Sequence, residues 1–431
     1  MFLWILIADL AGRGVYLSLL VVGLLLGLGY GGTILYVSQR VAFPPWHDPR
    51  PGSQVLSQWR MPEAWAAFTL DPKASLGLTF EDVSFRNRYG LELRGWWIPG
   101  ARLGLERAQP DRPLVGIVCV HGGGRDRRAF MRQSALFQRR GWSVLLFDCT
   151  GHGTSDARPP FPKGRWPGRA ISYGTHEWSD VVDALQYARA RLEEQRTTQS
   201  GEKREIRLVL IGTSQGAVSA FYAAAYQTQR YRYGYRDVPS VDALVAENPF
   251  TSPMALFEHL STHVAAPIMS YAANRSWLRL FLRLWIVCCT WLALFRTENT
   301  ALTCRMLAKN YTPKHRLARF LFRVAATLIE RVSPPERLDT PPAGGFDAVA
   351  EAVRAAECPI LLMHGKKDWI VPYKHSMELF ETARDPKELW ISPEAGHTMM
   401  YHCEPTVFET RVCTFLEKHL FANKQRPVEY S

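Results

Sequence analysis

The 431-residue chain holds eight cysteines but no C-x-x-C pair and no regular cysteine spacing. A disulfide framework and a zinc-ribbon or thioredoxin-like motif are thereby excluded as organising features. Cys119, Cys149, Cys288, Cys289, Cys304, Cys358, Cys403 and Cys413 sit mostly within apolar runs such as VCVHG and FDCTG, the setting of buried, reduced thiols. A Cys/His finger, an RNP-like motif and a long basic run are also missing. The 52 Lys+Arg against 40 Asp+Glu, a net +12, are scattered along the chain. They favour anionic surroundings such as phospholipid, and nucleic acid is not an expected partner. Metal-ligand spacing and internal repeats are absent too, and no metal or organic cofactor is implied.

Charge is absent from Val15 to Val37, VYLSLLVVGLLLGLGYGGTILYV, a run that crosses a bilayer at about 1.5 Å per residue. The run is too long for the apolar part of a signal peptide, and YVSQRVAF offers no small-x-small cleavage site. A retained, single-pass N-terminal membrane anchor is therefore expected. Tyr30, Tyr36 and Trp46 suit an interfacial belt. Arg13 on one side and Arg40 and Arg50 on the other fix neither sidedness nor organelle. Residues 1–40 read as the anchor and 41–76, containing AFPPWHDPRPGS, as a juxtamembrane spacer.

From 77 onward, elements alternate. GLTFEDVSF (77–85) and LELRGWWIP (91–99) flank RNRYG as a β-hairpin. LVGIVCV (114–120), WSVLLFD (142–148), IRLVLIG (206–212) and VDALVAENP (241–249) are continuous apolar strands. Between them, 127–141, 176–194 and 214–227 have helical spacing. The rhythm resumes with a helix over 346–357, strands at 358–365 and 387–392, and helices at 373–385 and 404–421. Strands of this kind predict an α/β fold with a mostly parallel sheet of about eight strands, covered by helices on both faces. The core then comprises 77–250 and 346–431. The intervening 251–345 includes the very apolar SWLRLFLRLWIVCCTWLALF (276–295). Arg279 and Arg283 within that run argue against a second membrane span, and a helical cap insertion is expected instead.

In a parallel sheet, catalytic groups collect where strands end at the C-terminal edge. Ser214, in LVLIGTSQGAVSA, follows a strand directly. Gly212 and Gly216 permit an abrupt turn that exposes its hydroxyl. A serine hydroxyl needs a base, and the base needs an orienting acid. Asp368 in HGKKDWIVP and His397 in PEAGHTMM each follow a later strand. Glu247, closing the strand in VAENPF, is a rival acid, and His402 a rival base. For the oxyanion, His121-Gly122-Gly123-Gly124 offers backbone N–H groups, from either Gly122 or Gly123. The Gln215 N–H at a helix start offers another.

With HGGG, FDCTGHGTSD, GTSQG, HGKKDWIVP and AGHTMMYHCEP, the chain resembles the α/β-hydrolase superfamily over about 77–250 and 346–421. It resembles the branch of membrane-anchored αβ-hydrolase-domain serine hydrolases and serine aminopeptidase or prolyl-oligopeptidase-like enzymes. The resemblance implies a Ser214, Asp368 and His397 triad with an oxyanion hole at Gly123 and Gln215. It also implies a structural role for residues 151–156, including His152 and Asp156. Thr213 and the segment 251–345 depart from the family pattern. The expected function is hydrolysis of an ester or thioester of an apolar acyl group, on a lipid or an acylated protein. A serine peptidase is the alternative enzyme, and a non-catalytic membrane-tethered binding module the alternative of another class. Oligomeric state is not readable from the sequence.

Overall fold

The computed structural model describes residues 71–101, 112–156, 173–174, 176–196, 203–252, 255–256, 259 and 349–421. All of these except His259 belong to one compact unit formed by Phe43–Leu256 with Asp339–Ser431. The expected anchor, the run 276–295 and nearly all of the expected cap lie outside the described residues. Among the described residues, no helix is long and apolar enough to cross a membrane.

The described residues open with a short helix, α1 (Pro72–Leu76), at the end of the segment read as spacer. The Asp71 carboxylate accepts the Ala74 N–H there at 2.8 Å, a side-chain N-cap. Strands β1 (Glu81–Arg86) and β2 (Glu92–Ile98) form the expected antiparallel hairpin. Asn87 Oδ1 holds its turn by accepting the Tyr89 and Leu91 N–H groups, both at 3.0 Å. After β3 (Leu114–Val120), the helix expected over 127–141 divides in two. Arg127–Phe130 is a 3₁₀ turn capped by Asp126, and α2 (Met131–Arg139) follows it. The division follows from the start of the segment, where the Asp126 side chain accepts the Arg128 N–H at 2.9 Å and Asp148 Oδ1 the Arg127 N–H at 2.7 Å.

Alternation continues through β4 (Ser143–Phe147), α3 (Trp178–Glu193), β5 (Ile206–Thr213), α4 (Gln215–Arg232) and β6 (Ala243–Glu247). Then come α5 (Val349–Ala355), β7 (Ile360–Gly365), α6 (Lys374–Thr382) and β8 (Lys387–Ser392), with α7 (Met400–Cys403) and α8 (Pro405–Phe421) last. One eight-stranded sheet results, in the order β1-β2-β4-β3-β5-β6-β7-β8. The pairs β1–β2 and β2–β4 are antiparallel and the rest parallel.

Side chains alternate across the sheet. Ile117, Cys119, Val209, Ile211, Val245 and Met363 join one core with residues of α2 and α8. On the opposite face, Gly116 lies against Leu192 of α3. Both faces being covered, the central strands have no polar side to spare and read as unbroken apolar runs. Register makes the strand ends level. Val120 pairs with Gly212, Thr213 with Glu247, Glu247 with Met363, and Gly365 with Ser392. Everything that immediately follows β3, β5, β6, β7 and β8 therefore emerges along one edge.

Candidate active site

Ser214 is the single residue between β5 and α4, with φ 53 and ψ −119. This left-handed backbone is disfavoured for a side chain with a Cβ and is retained only where surroundings impose it. Two sets of bonds do so. The Ser214 N–H donates to the Glu247 carbonyl at 2.8 Å, and the Ser214 carbonyl accepts the Ala217 and Val218 N–H groups at 3.0 and 3.2 Å. The turn also brings backbones into direct contact. A Cβ on Gly212 would fall on the Gly216 carbonyl oxygen, and one on Gly216 would fall on the Val120 carbonyl oxygen. The two glycines of Gly-Thr-Ser-Gln-Gly are thus a packing requirement of the bend, beyond any effect on exposure.

The Ser214 hydroxyl meets His397, whose Nε2 lies 3.2 Å from Oγ. His397 Nδ1 lies 2.7 Å from Asp368 Oδ2. Asp368 is 6 % exposed, yet its carboxylate is richly bonded. Oδ1 accepts the Ile370 and Val371 N–H groups, both at 2.9 Å. Oδ2 additionally accepts Asn248 Nδ2–H at 2.7 Å, with His364 Nε2 at 3.3 Å. Burial pushes the Asp368 pKa upward, but the His397 charge and the hydrogen bonds of His364 and His397 outweigh it. The carboxyl is held well below the usual carboxylate range. An ionised Asp368 only accepts hydrogen bonds, so the proton of neutral His397 resides on Nδ1, and Nε2 is left to accept from Ser214. The three residues, from loops after β5, β7 and β8, are brought into one hydrogen-bonded chain.

The loop after β3 lies beside them. Arg125 N–H donates to the Gly122 carbonyl at 3.1 Å, a turn with Gly123 and Gly124 at its corners, Gly124 at φ 68. A Cβ on Gly122 would stand 3.3 Å from the Thr213 carbonyl oxygen and 3.4 Å from Ser214 Cβ. His121 stiffens this loop. Its Nε2 accepts the Cys149 N–H at 3.0 Å, so the ring proton sits on Nδ1, 2.9 Å from the Gly122 carbonyl. Gln215 is the first residue of α4, and a first-turn N–H has no intrahelical acceptor.

This arrangement lies within the stretch of residues 111–404 that matches the model of the serine aminopeptidase family S33. The chain belongs to that family of α/β hydrolases. Its curated relatives include the uncharacterized protein YfhR of Escherichia coli (strain K12), 44% identical over 317 residues, covering 74% of this chain and 73% of that one. YfhR of Salmonella typhi is 20% identical over the same length, 74% of each chain. Among solved structures, the Pyrococcus furiosus esterase Pf2001 aligns at 18% identity and TM-score 0.47, over 81% of this chain and 95% of that one.

Within this S33 chain, the rival residues have other partners. Glu247 is buried, and its Oε1 accepts the Met400 N–H at 3.0 Å. Burial raises its pKa to about 7, against the opposing effects of the Met400 bond and the His397 charge. His402 lies on α7 with Nδ1 3.4 Å from Arg132 Nη1. Residues 151–156 tie β2 to the loop after β4. Asp156 Oδ2 accepts the Glu92 N–H at 2.9 Å, and Ser155 Oγ accepts the Arg94 N–H at 2.8 Å while donating to the Asp148 carbonyl at 2.7 Å. His152 packs against His121, ring centroids 4.7 Å apart. Of the described cysteines, Cys119, Cys149, Cys358 and Cys413 are buried free thiols, while Cys403 is exposed. Among the described residues no group of three or more His, Cys, Asp or Glu is placed to hold a metal.

Sequence reasoning passed over Asn248, His364 and Thr398. His364 is fully buried between Ser376 Oγ (2.6 Å) and the Val371 carbonyl (2.8 Å), behind Asp368. The signal available for it was HG-x-x-D itself, whose histidine points back at the aspartate four residues on.

Proposed function

We propose that this S33 α/β hydrolase is a serine hydrolase that cleaves ester or thioester bonds of an apolar acyl group through an acyl-enzyme on Ser214. The observation that carries the reading is the chain of bonds from Ser214 Oγ to His397 Nε2 (3.2 Å) and from His397 Nδ1 to Asp368 Oδ2 (2.7 Å), joined to a serine held at positive φ.

In this reading His397 Nε2 takes the hydroxyl proton as Ser214 Oγ attacks the acyl carbonyl carbon. Asp368 keeps the imidazole oriented and stabilises its cationic form. The N–H groups of Gly123 and Gln215 bind the oxyanion, helped by the positive end of the α4 dipole. When the tetrahedral intermediate collapses, His397 returns its proton to the leaving oxygen or sulfur. Water then attacks the acyl-enzyme, with His397 as base, and the free acid leaves.

The preference for an apolar acyl group rests on the uncharged run 15–37 as a membrane tether and on the apolar, arginine-bearing 276–295. A substrate carried by a bilayer reaches a tethered enzyme without entering bulk water. The serine peptidase reading is favoured by the family's own description as serine aminopeptidases. Against it, 251–345 is more basic than acidic, a poor match for a peptide's amino terminus. One substrate series separates the two. The full-length protein is assayed on p-nitrophenyl esters from acetate to palmitate and on aminoacyl p-nitroanilides. A kcat/KM that rises with acyl length, with anilides left nearly untouched, is expected. Efficient anilide cleavage with no gain from chain length would establish the peptidase instead.

A further inference from the structure

Asn248, immediately after β6, is completely buried and has φ 51. Its backbone N–H donates to the Met363 carbonyl of β7 at 2.8 Å. Its side chain bridges two parts of the site. Nδ2–H donates to Asp368 Oδ2 at 2.7 Å, the same oxygen that His397 Nδ1 reaches at 2.7 Å. The other end of the amide, Oδ1, accepts the N–H of Thr398 at 3.1 Å. Thr398 directly follows His397 and itself has φ 55, so the loop that presents the imidazole bends in a conformation needing outside support.

We propose that Asn248 is a positioning residue for the Asp368–His397 pair, fixing the carboxylate with one end of its amide and the histidine loop with the other. The inference rests on the serine-hydrolase reading above and deepens it. Asp368, His397 and Asn248 come from loops after three different strands, and a relative shift of a few tenths of an ångström alters the His397–Ser214 approach. A neutral amide suits the task for an electrostatic reason as well. It gives Asp368 a hydrogen bond without adding charge, which leaves the carboxylate's negative charge directed to His397. The ionisable groups facing Asp368 are His397 and His364, with Glu247 on the same strand end as Asn248.

An asparagine that merely filled a buried polar space would tolerate an isosteric replacement. Asn248→Asp is that replacement. Its oxygen still accepts the Thr398 N–H, but two carboxyls 2.7 Å apart cannot both ionise, so the bond to Asp368 survives only while the pair shares a proton. Asn248→Gly removes both bonds while keeping a residue at ease with positive φ. The measurement is the second-order rate at which a fluorophosphonate labels the full-length protein across pH, with thermal unfolding followed in parallel. For Asn248→Gly the labelling rate falls about 10- to 100-fold with the fold retained, the loss expected for a hydrogen bond to a charged group. For Asn248→Asp the rate stays near that of wild type while the shared proton bridges the two carboxyls and falls about tenfold or more once that proton is lost as pH rises. The pH profile thus gains a falling limb on its alkaline side that wild type lacks. Folded variants that label at the wild-type rate across the whole pH range overturn the proposal. Wild-type protein whose labelling does not depend on Ser214 overturns the serine-hydrolase reading instead.

Discussion

Glu247 offers a test of the site's electrostatics that needs no substrate. Its carboxyl is buried at the end of β6, accepting one backbone N–H, from Met400. Burial is the main cause that raises its pKa from an ordinary 4.5 to about 7. A carboxyl with a raised pKa in the folded state holds its proton more tightly there than in the unfolded chain. Its stabilising contribution is therefore full below about pH 4.5 and is lost as pH rises through about 7. At 1.36 kcal/mol for each pH unit between the two values, the loss amounts to about 3 kcal/mol. Glu247→Gln keeps the shape and the oxygen that accepts from Met400 but cannot ionise. Urea unfolding of both proteins, at about pH 5 and about pH 8, reads the effect directly. Wild type loses stability between the two conditions, and the variant loses about 2–3 kcal/mol less. Parallel pH dependence in the two proteins would refute the argument that Glu247 is held protonated by its surroundings.

Two further substitutions probe the geometry. Asp368→Asn removes the charge opposite His397 Nδ1 and permits the wrong tautomer, and Ser214-dependent turnover is expected to fall about 10³- to 10⁴-fold with the fold intact. A fall of less than tenfold in steady-state kinetics would mean that another group orients the imidazole. Gly216→Ala places a methyl group on the Val120 carbonyl oxygen and 2.5 Å from that of His121, backbone atoms that cannot swing away. It should cost about 1–3 kcal/mol in thermal or urea unfolding and abolish labelling of Ser214, whereas wild-type stability would show that the bend has slack.

Much of the fold was legible because the central strands are buried on both faces. β3 coincides with the apolar run 114–120, and the edge strand β8 with the segment 387–392. β5 runs one residue past its apolar run, to Thr213, and the remaining strands are shorter than their runs by two to four residues; Trp142, Val241 and Cys358 are as apolar as the strands they precede but lie before the ladder. Spatial order was not legible in periodicity. β3 sits between β4 and β5, a consequence of crossover connections that leave no local pattern. The candidate site was legible through its strand-end positions, as Ser214, Asp368 and His397 each follow a short apolar run. Asn248 was not, because its role arises from a positive φ and from register that levels β6 with β7. In the sequence it is only the residue between Glu247 and Pro249. Glu247 and Asp368 likewise look equivalent as acids at strand ends. Burial with a single N–H partner separates Glu247 from the multiply bonded Asp368.

The central claim is that Ser214 is an activated nucleophile. Full-length protein treated with a fluorophosphonate, digested and mapped by mass spectrometry should carry the adduct on Ser214. Labelling should be absent in Ser214→Ala and strongly reduced in His397→Ala. An adduct on another residue, or labelling that persists undiminished in Ser214→Ala, would contradict the account.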